Sequence, residues 1–186
     1  MEKMKRLTSQ IPNALTLFRI VLIPVFIFLA IKEYYFATLS VFIIASLTDT
    51  FDGIIARKYN YVSSFGKVFD PLADKILVAF ALILLAFWGL IYWWLTFLIL
   101  ARELFITILR SALTNKKFYL SANIFGKIKT TVQMIAVIFS LFYKTFLSES
   151  EMVENFILII FILSAIFTWF SAIIYIFQIR KALHEK

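Results

Sequence analysis

Asp49-Thr50-Phe51-Asp52-Gly53-Ile54-Ile55-Ala56-Arg57, then eight residues, then Gly66-Lys67-Val68-Phe69-Asp70-Pro71-Leu72-Ala73-Asp74, sets four aspartates between two long apolar segments. A carboxylate near the centre of a membrane-crossing helix costs about 2.5 to 3.5 kcal/mol, so four uncompensated ones would cost roughly 10 to 14 kcal/mol. Something has to compensate them. At helical spacing Asp49 and Asp52 are i and i+3, while Asp70 and Asp74 are i and i+4, so each pair projects from one face of its own helix. Two such faces opposed make a cage of four carboxylates. Hard divalent cations such as Mg²⁺ take oxygen ligands of this kind, and a pair of them about 3.5 to 4 Å apart can clamp both oxygens of an in-line phosphoryl displacement. Gly53 and Ala56 keep bulk off the helix face, and Arg57 adds a bidentate phosphate donor beside it. The stretch reads as a site for a diphosphate.

The segments on either side set the fold class. The chain has 186 residues, of which 62% are hydrophobic, and it carries only four glycines and three prolines. Its mean hydropathy is +0.92. That composition excludes an ordinary soluble domain and predicts an all-α, polytopic membrane protein, one domain over 1–186. About 20 residues cross the hydrocarbon core. Six spans are expected, near 14–32, 35–56, 69–88, 90–110, 127–146 and 154–178, after a short interfacial segment at the N-terminus. The first apolar run is interrupted by Arg19 and Pro24 and has no small-residue cleavage pattern, so it reads as a retained span. The absence of cysteine excludes disulfides and thiolate metal sites, and the sole histidine, His184, lies in a charged tail.

The net charge of +8 could suit nucleic acid, but its distribution argues against that partner. Lys3, Lys5 and Arg6 precede the first span. Arg57, Lys58 and Lys67 flank the second connection; Arg110, Lys116, Lys117, Lys127 and Lys129 flank the fourth; Arg180, Lys181 and Lys186 close the chain. The opposite side has only Lys32 and Lys144 beside Glu33, Glu149, Glu151 and Glu154. By the positive-inside rule both termini and the aspartate stretch are cytoplasmic in a multi-pass protein of the cell membrane. Trp88, Tyr92, Trp93 and Trp94 resemble an interfacial belt on the outer side.

The pattern D-x-x-D-G-x-x-A-R, eight residues, G-x-x-x-D-x-x-x-D resembles the signature of the CDP-alcohol phosphatidyltransferase family at every fixed position. The resemblance implies a membrane enzyme that transfers a phosphatidyl group from CDP-diacylglycerol to an alcohol and releases CMP. It implies two Mg²⁺ ions, with Mn²⁺ as the substitute, held by Asp49, Asp52, Asp70 and Asp74, with Asp74 also the base toward the acceptor hydroxyl. Asp52, Gly53, Arg57 and Gly66 fall at the family's nucleotide-binding positions, and a homodimer is compatible with the family. Pro12-Asn13-Ala14-Leu15-Thr16-Leu17-Phe18-Arg19 resembles the opening of its first span. Here Asn13 either caps a helix while Arg19 snorkels to the interface, or both line the site.

Pro71 leaves two readings of Asp70. A helix starting at Pro71 would make Asp70 its N-cap and occupy the carboxylate, whereas a start near Ser63 or Ser64 puts Pro71 inside and frees Asp70 for metal. The second is favoured. Arg102-Glu103 brings charge into the fourth span; adjacent helical residues point about 100° apart and make poor partners for each other. With Arg110 and the segment Gly126-Lys127-Ile128-Lys129-Thr130-Thr131-Val132-Gln133, it resembles the bacterial branch of the family whose acceptor is sn-glycerol 3-phosphate. That anionic acceptor needs a basic pocket, for which Arg102, Arg110, Lys127 and Lys129 are the candidates. Inositol phosphate, serine or phosphatidylglycerol as acceptor are the rivals within the same chemistry, and serine fits several cationic residues least. A cation transporter is the rival of another class, disfavoured because Arg57 beside the aspartates would repel a passing cation.

Overall fold

The computed structural model describes the backbone of residues 2–59, 64–114 and 124–184, and the side chains of residues 17–48, 75–109 and 129–177. Among the described residues every regular element is an α-helix, and there are six: α1 Glu2–Ile31, α2 Tyr35–Tyr59, α3 Ser64–Phe87, α4 Trp93–Thr114, α5 Ile124–Phe146 and α6 Glu151–His184. Each of the six predicted apolar runs falls largely within one of these helices. One stretch, Glu151–Phe177 within α6, is by itself long and apolar enough to cross a membrane; Leu17–Ile31, Tyr35–Thr48 and Lys75–Phe87 are shorter apolar runs.

The N-terminus differs from its sequence-based reading. A short helix that turns before the first span was expected, but the backbone runs as one 30-residue helix from Glu2 to Ile31. The residues ahead of Pro12, Glu2 to Leu7, are nearly all strong helix formers. Proline restricts the backbone of the residue before it and removes one hydrogen bond, yet helices in apolar surroundings absorb that loss through neighbouring groups. Pro12 and Pro24 both lie inside this helix.

The chain divides into two compact units, one of residues 1–84 with 141–148 and the other of residues 85–140 with 149–186. In the first unit, α1 packs on α2. Arg19, Ile23, Phe26 and Ala30 form the buried stripe of α1, and Thr38, Leu39, Phe42 and Ala45 that of α2. Both sets recur at the three-and-four spacing of one helix face. Phe26 and Phe42, each wholly buried, meet with ring centroids 5.8 Å apart, and Phe36 meets Phe146 edge to face at 6.0 Å. In the second unit α4 packs on α6. There Ile106, Ala172 and Tyr175 form a small core with Leu109 against it. Ser164, Ala165, Thr168, Ser171 and Ala172 keep the buried face of α6 small, which allows close helix approach.

Two tight reversals close these helices by the same device. At the end of α1, the N–H of Tyr34 bonds the carbonyl of Leu29 at 3.0 Å and that of Glu33 bonds Ala30 at 3.1 Å. At the end of α3, Leu90 bonds Leu85 at 3.0 Å and Gly89 bonds Ala86 at 3.1 Å. Both are Schellman motifs, which need a left-handed residue after the helix. Gly89 supplies it with φ 77°, and Glu33 supplies it with φ 58° despite its side chain. Elsewhere hydroxyls turn back onto their own helices: Thr38, Ser40, Ser46, Thr107, Ser140 and Thr145 each donate to the carbonyl four residues earlier, at 2.6 to 3.0 Å. That satisfies each hydroxyl within its own helix.

Candidate active site

Both aspartate pairs belong to the first unit, Asp49 and Asp52 on α2, Asp70 and Asp74 on α3. The start of α3 at Ser64 decides the question raised by Pro71: Asp70 stands inside the helix and is no N-cap. The side chains of Asp49, Asp52, Gly53, Arg57, Gly66, Asp70 and Asp74 lie outside the described residues, as do those of Asn13, Arg110 and Lys127. Among the described residues no three acidic or histidine side chains cluster as metal ligands do.

Arg19 is described, and it is wholly buried. A snorkelling arginine keeps its head in solvent; this one does not. It is therefore an interior charge of α1.

The second unit holds a further set of polar side chains. Arg102 on α4 is 7% exposed, Lys129 on α5 is 5% exposed, and Gln133, one turn further along α5, is 1% exposed. Glu103 accepts a hydrogen bond and ion pair from Lys129, with 14% of the carboxylate side chain exposed against 5% of the lysine's. Thus Glu103 pairs across to α5 and not with its neighbour Arg102, as the divergence of adjacent helical side chains requires. Thr107 turns its hydroxyl onto the Glu103 carbonyl at 2.6 Å, fixing the same turn of α4. Two buried cations, one carboxylate and one buried carboxamide therefore lie on α4 and α5, with a net positive charge when the three ionisable groups are charged. Such a group can receive an anion. Of the expected acceptor residues, the structure describes Arg102 and Lys129 and buries both. Sequence reasoning missed the Glu103–Lys129 partnership and the burial of Gln133. The four-residue step from Lys129 to Gln133 was the one signal available for the latter.

The sequence profile of the CDP-alcohol phosphatidyltransferase family matches residues 9–177. The chain belongs to that family. It is 43% identical over 142 residues to the CDP-diacylglycerol–glycerol-3-phosphate 3-phosphatidyltransferase of Bacillus subtilis (strain 168), covering 68% of this chain and 74% of that one. The protein of the same name from Escherichia coli (strain K12) is 36% identical over 184 residues, covering 95% of this chain and 98% of its own length. The one from Sodalis glossinidius is 35% identical over 185 residues, covering 94% and 97%. The family match thus includes both aspartate pairs and the α4–α5 polar group.

Proposed function

We propose that this family member transfers the phosphatidyl group of CDP-diacylglycerol to sn-glycerol 3-phosphate, giving phosphatidylglycerol phosphate and CMP. The observation that carries this is the near end-to-end match, 36% identity over 95% of the chain, to a protein named for that reaction. The buried cationic group on α4 and α5 supports an anionic acceptor over a zwitterion such as serine.

The aspartates offer an all-oxygen donor set, which suits Mg²⁺ and equally admits Mn²⁺. Asp49, Asp52, Asp70 and Asp74 would hold two such ions. When bound, they supply charge neutralisation of the diphosphate and of the departing CMP. The chain's own residues do the rest. Asp52, Gly53, Arg57 and Gly66 bind the nucleotide portion, with the Arg57 guanidinium suited to a phosphate. Asp74 takes the proton from the attacking hydroxyl. Arg102, Arg110, Lys127 and Lys129 bind the acceptor phosphate. The Glu103 partner of Lys129 fixes where its ammonium sits.

Six membrane crossings, both termini on the cytoplasmic side and a homodimer complete the reading. Its support is that every helix has at least 22 residues, or about 33 Å at 1.5 Å per residue, against a hydrocarbon core of about 30 Å. Large apolar side chains such as Phe97, Ile108 and Phe177 are exposed at 74%, 67% and 64%, which suits a lipid surround.

The test is a mixed-micelle assay with CDP-diacylglycerol and, in parallel, sn-glycerol 3-phosphate, inositol phosphate and serine. CMP release and lipid product are expected with glycerol 3-phosphate, abolished by chelation and restored by Mg²⁺. Asp74→Asn should lower kcat by at least about 10²-fold, the lower range for a lost general base. Lipid product from serine or inositol phosphate alone would overturn the acceptor assignment.

A further inference from the structure

Gln133 is 1% exposed, and neither its Oε1 nor its Nε2 has a hydrogen-bond partner among the described residues. Because both atoms are bare, the conclusion does not depend on which way the amide is turned. A carboxamide brings two donors and an acceptor oxygen. Most buried polar atoms in folded proteins are paired, and an amide left bare in an apolar interior calls for a specific cause. Two polar side chains on the same face of α5 show the contrast. Lys129, one turn earlier on the same face of α5 and about 6 Å along the axis, reaches Glu103. Ser140, two turns later on that face, donates to Ala136 at 2.7 Å.

We infer that the Gln133 carboxamide binds the non-reacting secondary hydroxyl of the glycerol moiety of the acceptor. This rests on the acceptor being sn-glycerol 3-phosphate. That molecule presents three groups: a phosphate, a primary hydroxyl that attacks, and a secondary hydroxyl that stays. The phosphate is served by cations, of which Lys129 stands one turn from Gln133 on α5 and Arg102 is buried on α4. The attacking hydroxyl gives up its proton and needs a base, which a neutral amide is not. The remaining hydroxyl is both a donor and an acceptor, and a carboxamide can meet either side of it. Gln133 thereby reads the polyol and leaves the charge to its neighbours. Sites that hydrogen-bond a substrate hydroxyl reject the analogue that lacks it far more strongly than apolar pockets discriminate, because the site's polar atoms are then left bare.

The experiment compares sn-glycerol 3-phosphate with 3-hydroxypropyl phosphate, which keeps the phosphate and the attacking hydroxyl and lacks only the secondary one. The wild-type enzyme is expected to prefer glycerol 3-phosphate by at least about 10²-fold in kcat/KM. Gln133→Leu should lose at least about 10-fold with glycerol 3-phosphate, leave 3-hydroxypropyl phosphate within about twofold, and leave the KM for CDP-diacylglycerol unchanged. The ratio between acceptors is the readout, since a merely structural defect lowers both together. Gln133→Asn keeps the amide one methylene short and serves if the leucine variant does not fold; it should retain part of the preference. Equal losses with both acceptors, no loss with either, or a wild-type enzyme indifferent to the secondary hydroxyl would each overturn the inference. If the wild-type enzyme turns over serine or inositol phosphate and not glycerol 3-phosphate, the acceptor assignment has failed and takes this inference with it. Normal use of glycerol 3-phosphate with unchanged discrimination in the variants defeats the Gln133 assignment alone.

Discussion

At the scale of single residues, the Glu103–Lys129 pair separates what a buried charge does for stability from what it does for chemistry. Both partners are largely withdrawn from solvent, so removing one deprives the other of this counter-charge away from water. Breaking a buried pair in this way costs about 3 to 5 kcal/mol, while replacing both members by apolar residues of similar volume is often neutral. Glu103→Leu and Lys129→Met should each destabilise, and the double variant should return to within about 1 kcal/mol of the parent. Thermal unfolding in detergent measures this. Activity should not return with stability in the double variant, because the cation proposed for acceptor binding is gone. A double variant that recovers both would make Lys129 a structural cation only.

At the scale of elements, the two Schellman closures use the same hydrogen bonds with different residues at the left-handed position, glycine at 89 and glutamate at 33. A side chain in that conformation costs about 1 kcal/mol. A Cβ added at Gly89 would meet nothing within 4 Å, so the penalty of Gly89→Ala is conformational alone. It should destabilise by about 1 kcal/mol, and Glu33→Gly should stabilise by up to about 1 kcal/mol, seen as opposite shifts in the detergent unfolding temperature. Element placement was largely legible from sequence, because apolar runs and the glycine and charged segments between them are written locally. Ser64 as the start of α3, and with it the place of Asp70 within a helix, followed from the same local signals. The continuous α1 was not legible, since Pro12 reads as a boundary when its surroundings are unknown. Nor was the Glu103–Lys129 pair, which spans 26 residues and depends on how two helix faces meet. Periodicity says which face is buried, and it does not say against what.

At the scale of the whole molecule, charge asymmetry and helix order together make a topology that can be measured. The described connections between α1 and α2, α3 and α4, and α5 and α6 carry Lys32, Glu33 and Glu149 as their only charges, while Arg57, Lys58 and Lys67 flank the connection between α2 and α3, Lys116 and Lys117 lie between α4 and α5, and lysine and arginine cluster near both ends of the chain. Six crossings with the cationic side inward would put positions 33 and 148 outside the cell and positions 61 and 116 inside. The chain has no cysteine, so each position can be tagged without background. In intact cells a membrane-impermeant maleimide is expected to label Glu33→Cys and Ser148→Cys, and to label Tyr61→Cys and Lys116→Cys only after permeabilisation. Labelling of all four from outside, or the reverse pattern, would remove the cytoplasmic placement of the aspartates. It would also strand the proposed chemistry, since the diphosphate of a cytidine nucleotide made in the cytosol would then face the wrong side of the bilayer. If all six helices cross, the connections between α2 and α3 and between α4 and α5 lie on one side, and labels on either side of α2 then give the side for both.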